Sequence, residues 1–217
     1  MRRLTLPDSG GPIEGAKRHA PSAARNMEPI AAVLAQHLPA TGRALELASG
    51  TGQHIGFFAA RFTGLIWQPS DINPDNLASI RAWASDAPRE NLCDPVLLDA
   101  CTAGWAADHG GNAAICLTNL LHLISQPEAE ILLTETARAL APDGVFCLYG
   151  PFKRTETLIS EGDRAFDESL RAQDPAIGYK NIEWVETVLT GHGLAARALH
   201  EMPASNLMLV MQLPAHT

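Results

Sequence analysis

An α/β fold with a mostly parallel sheet and helices on both faces is the architecture this sequence predicts, on three observations. Short apolar stretches of strand character alternate with amphipathic helical stretches through five β/α units, the rhythm of a parallel sheet. A glycine-rich turn, "ELASGTGQH" at 46–54, follows the first of those strands and opens a helix. Two late strands, separated by a short turn at Pro203 to Ser205, complete the pattern as an antiparallel hairpin at the sheet edge.

The elements follow in order. Residues 1–20 are rich in Gly, Pro and charge and are expected to form a loose lead-in to a single domain spanning 21–217. Ser22 is placed to cap a helix whose apolar stripe is Met27, Ile30, Val33, Leu34 and Leu38, with Pro39 and Gly42 ending it. "RALELA" is the first strand and "QHIGFFAARF" the helix after the turn. "LIWQPS" is a second strand ending at Asp71, and "NPDNLASIRAWASD" a helix with Pro74 in its tolerant first turn. "DPVLLDA" and "NAAICLTN" are the third and fourth strands. In "SQPEAEILLTETARALAPDG", Ser125 and Glu128 make a capping box, and Asp143-Gly144 is expected to close the helix. "VFCLYG" is the fifth strand, 153–180 is polar and irregular, and "NIEWVETVLTGHG" is a further helix. "AARALHEM" and "NLMLVMQL" are the closing hairpin.

Composition excludes several functions. The net charge of -8 and the absence of any basic run longer than a pair argue against binding nucleic acid through its phosphates. No apolar stretch approaches the roughly 20 residues that span a bilayer, and "MRRLTLPDSGGP" lacks the apolar core of a secretory signal. Cys93, Cys101, Cys116 and Cys147 show neither metal-ligand spacing nor a disulfide framework; no metal is expected, and a reducing, cytoplasmic setting is. Nothing in the sequence indicates an oligomeric state.

Glycine lets the backbone turn sharply and lets a ligand approach it closely. Three classes of turn are disfavoured. The dinucleotide fingerprint needs a small third residue, but Ile55 occupies that position. No Gly-Lys-Ser/Thr follows, and Ser49 lacks the flanking glycines of a nucleophile elbow. The pattern is closer to E/D-x-G-x-G-x-G, which holds S-adenosylmethionine: Glu46, Gly50 and Gly52 match, while Ala48 stands at the first glycine and is expected to deny it a positive φ. Asp71, 21 residues after Gly50, is placed to accept ribose hydroxyls, and Asp99 to accept the adenine amino group. Carboxylates at successive strand ends suit a sulfonium better than a pyrophosphate, and a Cβ at Gly52 is expected to obstruct the ligand more than the fold.

"SAARNMEPI", "ALELASGTGQH", "WQPSD", "SIRAW", "YGPF", "FDESLRAQDP" and "MPASN" together resemble the methyltransferase-like protein 26 family, over about residues 21–212. The resemblance implies a Rossmann-like class I methyltransferase fold with a seven-stranded sheet and S-adenosylmethionine as cofactor. It supplies no acceptor. "NLLHLIS" departs from relatives, with Gln126-Pro127 where they carry Pro-Trp.

Methyl transfer from a sulfonium starts from an activated donor, so positioning supplies most of the catalysis. At the end of the fourth strand, Asn119 is expected to orient an acceptor beside the cofactor, and His122 to act as general base. Tyr149, with Pro151 and Phe152, is expected to wall the acceptor site. Arg25 and Asn26 stand where such enzymes carry a lid over the cofactor. Asp167 and Arg171, one helical turn apart, read as an ion pair. The function expected is methyl transfer to a small molecule. The alternatives are a non-catalytic protein that binds S-adenosylmethionine or S-adenosylhomocysteine, and an NAD(P)-dependent oxidoreductase.

Overall fold

The computed structural model describes residues 4–5, 13–86 and 90–215. Of the expected loose lead-in, residues 1–3 and 6–12 lie outside the described residues. Residues 13–20 are docked instead: β1 (Ile13–Glu14) and β2 (Lys17–Arg18) form a small hairpin. It sits on α3 (Pro74–Asp86), with the Arg18 amide donating to Ser79 Oγ at 2.9 Å and Trp83 Nε1 to the Arg18 carbonyl at 3.1 Å.

Seven strands form the main sheet. They are β3 (Gly42–Leu47), β4 (Leu65–Asp71), β5 (Val96–Leu97), β6 (Asn112–Thr118), β7 (Leu140–Gly150), β8 (Ala195–Glu201) and β9 (Leu207–Gln212). Their spatial order is β5-β4-β3-β6-β7-β9-β8. The first five are parallel, and β9 runs antiparallel to both neighbours. The sheet is therefore mostly parallel with a closing antiparallel hairpin, as the sequence predicts. Strand order reverses between β3 and β6, the position where open α/β sheets leave a crevice beyond the strand C-termini.

Helices cover both faces. α1 (Pro21–His37), α2 (Gln53–Arg61) and α3 bury Ile30, Leu34, Ile55, Phe58, Leu77 and Ile80 against one face, with Phe58 and Trp67 fully enclosed. At roughly 25 cal/mol per Å² and 150–250 Å² per aromatic ring, each of those two contributes on the order of 4–6 kcal/mol. α4 (Gln126–Ala139) and α6 (Ile182–Gly191) cover the other face through Leu132, Leu133, Val185 and Leu189. No helix among the described residues is long and apolar enough to cross a membrane.

Four local expectations need correction. α1 starts at Pro21, so Ser22 lies inside it; the cap is Ala20, whose amide is held by Gln53 Oε1. The third strand shrinks to two residues, because Pro95 has no N–H to donate and Asp99 turns the chain by accepting from the Cys101 amide at 2.9 Å. α4 carries the expected capping box but ends at Ala139; Pro142 favours extended backbone before it, and Leu140 already pairs with Asn112. Within 153–180 lies α5 (Glu161–Gln173), started by a second capping box between Ser160 and Asp163. The Asp167–Arg171 ion pair is present on it at 2.8 Å.

Candidate functional site at the strand C-termini

The glycine turn is fastened to the end of β4. Ser49 N–H donates to the Ser70 carbonyl at 2.8 Å, and Ser70 N–H returns to Ser49 Oγ at 3.2 Å. Ser70 Oγ reaches the Glu46 carbonyl at 2.8 Å. Asp71 organises both arms: Oδ2 accepts the Gly50 N–H at 2.9 Å and Oδ1 the Asn73 N–H at 2.8 Å. Asp71 thus demonstrably shapes the turn with the carboxylate expected to meet a ribose. Ala48 differs from expectation, adopting φ +51 despite its Cβ. On the adjacent strand end Asn119 does the same at φ +56. Left-handed backbone costs roughly 1–2 kcal/mol per non-glycine residue, and such strain gathers at functional sites. Here both residues flank the point where strand order reverses.

Beneath the turn lies Glu46, 2% exposed, with Oε2 unpartnered in the interior. Burial raises its pKa to about 8; the nearby Ser49 hydroxyl offsets this in part and the Asp71 charge adds to it. A buried carboxyl without a full set of partners is costly, and a cationic group beside it would remove that cost.

The two glycines of the turn have different duties. A Cβ at Gly50 would meet nothing nearer than the Ala48 carbonyl, 3.9 Å away, so space lies beside this backbone. A Cβ at Gly52, where φ is +89, would stand 2.8 Å from Ile80 Cα. Gly52 therefore serves the packing of α2 on α3, contrary to the expectation that it faces the ligand first.

A second group converges from α1, α2, β7 and the hairpin. The Asn119 amide donates to the Tyr149 carbonyl at 2.9 Å. The Tyr149 side chain is buried and hydrogen-bonds Asn26 and Asn206. Desolvation raises its pKa, offset in part by those two bonds and by the charge of exposed Arg25. Asn26 Oδ1 lies 2.7 Å from His54 Nε2, and burial lowers the pKa of this histidine to about 4. His54 and Asn206 are not expected in the site from the sequence, although both lie in segments that carry the family resemblance.

Two expected residues stand apart. Asp99 is exposed and spends its oxygens on the Cys101 amide and on Thr102 Oγ1, at 2.9 and 3.1 Å. His122 is buried between Phe166 and Tyr179, with ring centroids at 5.6 and 6.1 Å. Its pKa is lowered to about 3, by desolvation first and by the Lys180 charge second, with Asp167 opposing both. A ring so held is neutral and weakly basic, which does not suit proton abstraction at neutral pH.

The fold is shared with solved methyltransferases. An O-methyltransferase family protein from Burkholderia thailandensis superposes with a TM-score of 0.76 at 15% identity, covering 90% of this chain and 57% of that one. Human N-acetylserotonin methyltransferase, solved with S-adenosylmethionine, gives 0.74 at 11% identity, covering 89% and 53%. A methyltransferase of calicheamicin biosynthesis, solved with S-adenosylhomocysteine, gives 0.69 at 18%, covering 89% and 54%. This chain spans little more than half the length of these proteins. The sequence model of the family described as "Protein of unknown function (DUF938)" matches residues 17–213, nearly the whole chain, and the chain belongs to that family.

Proposed function

We propose that the protein is an S-adenosylmethionine-dependent methyltransferase acting on a small-molecule acceptor. The observation that carries this reading is the buried, unpartnered Oε2 of Glu46, under a turn whose Gly50 has open space beside it. The residues fit the cofactor's chemistry. A sulfonium and an ammonium favour a mouth containing Glu46 and Asp71, and Gly50 lets such a ligand lie against the backbone. The cofactor supplies the activated methyl group. The chain's own contribution is to hold the two reactants in line and exclude water, worth roughly 7–11 kcal/mol when alignment is good.

Arg25 and Asn26 on α1, with Ala48 and Asn119 at the strand ends, complete the proposed cofactor surroundings, whereas Asp99, whose oxygens serve its own turn, is left out of them. Tyr149, fixed by Asn26 and Asn206, orients the acceptor together with Asn119. No general base is assigned: the environment of His122 favours an acceptor that arrives already nucleophilic. That same observation favours a second reading, a protein that binds the cofactor or its demethylated product without turnover. Calorimetric titration with S-adenosylmethionine tests binding, and transfer of a labelled methyl to a panel of small molecules separates the two readings. Absence of binding by the wild type, or tight binding of NADH in its place, would overturn both.

A further inference from the structure

A cavity of about 220 Å³ lies beyond the end of β7, and its lining shares no residue with the glycine turn. Its walls come from four segments: Gln126 at the start of α4, Lys153 and Glu156 after β7, Arg171, Tyr179 and Lys180 from the end of α5 and the chain beyond it, and the start of α6. Three cations, Lys153, Arg171 and Lys180, face one carboxylate, Glu156, in a protein whose net charge is -8. The positive lining therefore opposes the overall charge.

Two of the cations are held in place by separate means. Arg171 gives Nε to Asp167 at 2.8 Å, and among the described residues no acceptor takes its terminal nitrogens. Gly178 lets the guanidinium lie against the chain, since a Cβ there would stand 2.7 Å from Nη2. Lys180, 7% exposed, is anchored by the Ile124 and Gly178 carbonyls at 2.6 and 2.9 Å. Lys153 is half-buried, and its ammonium has no acceptor among the described residues. Beside it the chain makes a tight turn through Thr155 and Glu156, two non-glycine residues at φ +49 and +64. Asn181 and Glu183 hold that turn by its amides, at 3.2 and 3.0 Å. This strained backbone keeps Glu156 at the cavity wall.

We propose that this cavity binds a small organic phosphate monoester. A phosphate near -2 is attracted by a lining with three cations and one carboxylate, Arg171 being partly offset by Asp167 behind it, and a guanidinium with free terminal N–H groups suits bidentate contact with an oxyanion. The rings of Trp184 and Tyr179 offer apolar walls for the carbon part, and Glu156 accepts from its hydroxyls. The volume is below the roughly 300–1,000 Å³ of pockets for drug-sized ligands, which restricts the occupant to a few carbons.

The inference stands independently of methyl transfer, because its readout is binding of a phosphate ester without cofactor. Calorimetry with glycerol 3-phosphate, inorganic phosphate and glycerol tests it on the full chain. Glycerol 3-phosphate is expected to bind with a Kd below about 1 mM, phosphate more weakly, and glycerol not at all. Lys153→Ala, at a half-buried position outside the cofactor surroundings, is expected to weaken the ester roughly five- to tenfold and leave S-adenosylmethionine affinity unchanged. Lys153→Arg should restore most of the loss. No binding of the ester at millimolar concentrations would overturn the proposal, as would equal affinities of wild type and Lys153→Ala.

Discussion

Glu46→Gln isolates the energetic consequence of burying an acid without a full set of partners. The folded pKa is about 8 against an ordinary 4.5, so between those values the folded state keeps a proton that the unfolded state has released. The stability contribution is thus fully present below pH 4.5 and is lost as pH rises to about 8. At about 1.4 kcal/mol per pH unit across that window, the loss is on the order of 4–5 kcal/mol as an upper bound. Glutamine has the same shape and no titration. The variant should match the wild type near pH 4.5 and exceed it by a few kcal/mol above pH 8, measured by urea unfolding across the range. Parallel profiles would refute the reasoning. The same group couples to the proposed cofactor. If a cationic ligand requires the carboxylate, binding ejects the proton, and affinity should rise by up to about tenfold per pH unit below pH 8. Calorimetry in buffers of different ionisation enthalpy reads that proton directly, and its absence would remove Glu46 from the ligand's surroundings.

Four further outcomes are expected. Gly52→Ala should cost about 2–4 kcal/mol in the unliganded protein, from the Ile80 contact and the left-handed backbone. Gly50→Ala should cost about 1 kcal/mol in stability yet lose cofactor affinity; the reverse order of the two melting temperatures would sink this assignment. Asp71→Asn should weaken S-adenosylmethionine binding by about 1.5–3 kcal/mol in calorimetry, whereas lower stability with unchanged affinity would confine Asp71 to shaping the turn. For His122 the sign is opposite to that of Glu46: with a folded pKa of about 3 against 6.5, its stability contribution is present above pH 6.5 and lost as pH falls toward 3. His122→Phe should flatten acid unfolding in that window and leave the pH profile of any turnover unchanged; a profile that shifts would restore a chemical role to this ring.

The layered fold was legible because strand and helix periods, glycine turns and caps are local signals. The glycine turn was legible in outline for the same reason, with Glu46, Gly50 and Asp71 at the spacing that brings Gly50 N–H onto Asp71. What failed depended on distant partners. The packing role of Gly52 comes from Ile80, and the silence of His122 comes from Phe166 and Tyr179, in a stretch read as irregular. That stretch did carry a local signal, Ser160 three residues before Asp163, which marks the start of α5. The positive φ of Ala48 has no sequence signature, since only the surrounding hydrogen bonds compel it.

The position of β9 between β7 and β8 has a consequence during synthesis. β7 leaves the ribosome with one flank unpaired, and β8 emerges next with nothing to pair with, because its ladder runs to β9 alone. At about 5–20 residues per second, the interval from Gly150 to Leu207 lasts on the order of 3–11 s. Throughout it the nascent chain offers the apolar flank of Phe146, Cys147 and Leu148 to any passing strand. Until Leu207–Gln212 arrives that edge stays open, and a chain stalled before that point is an aggregation hazard.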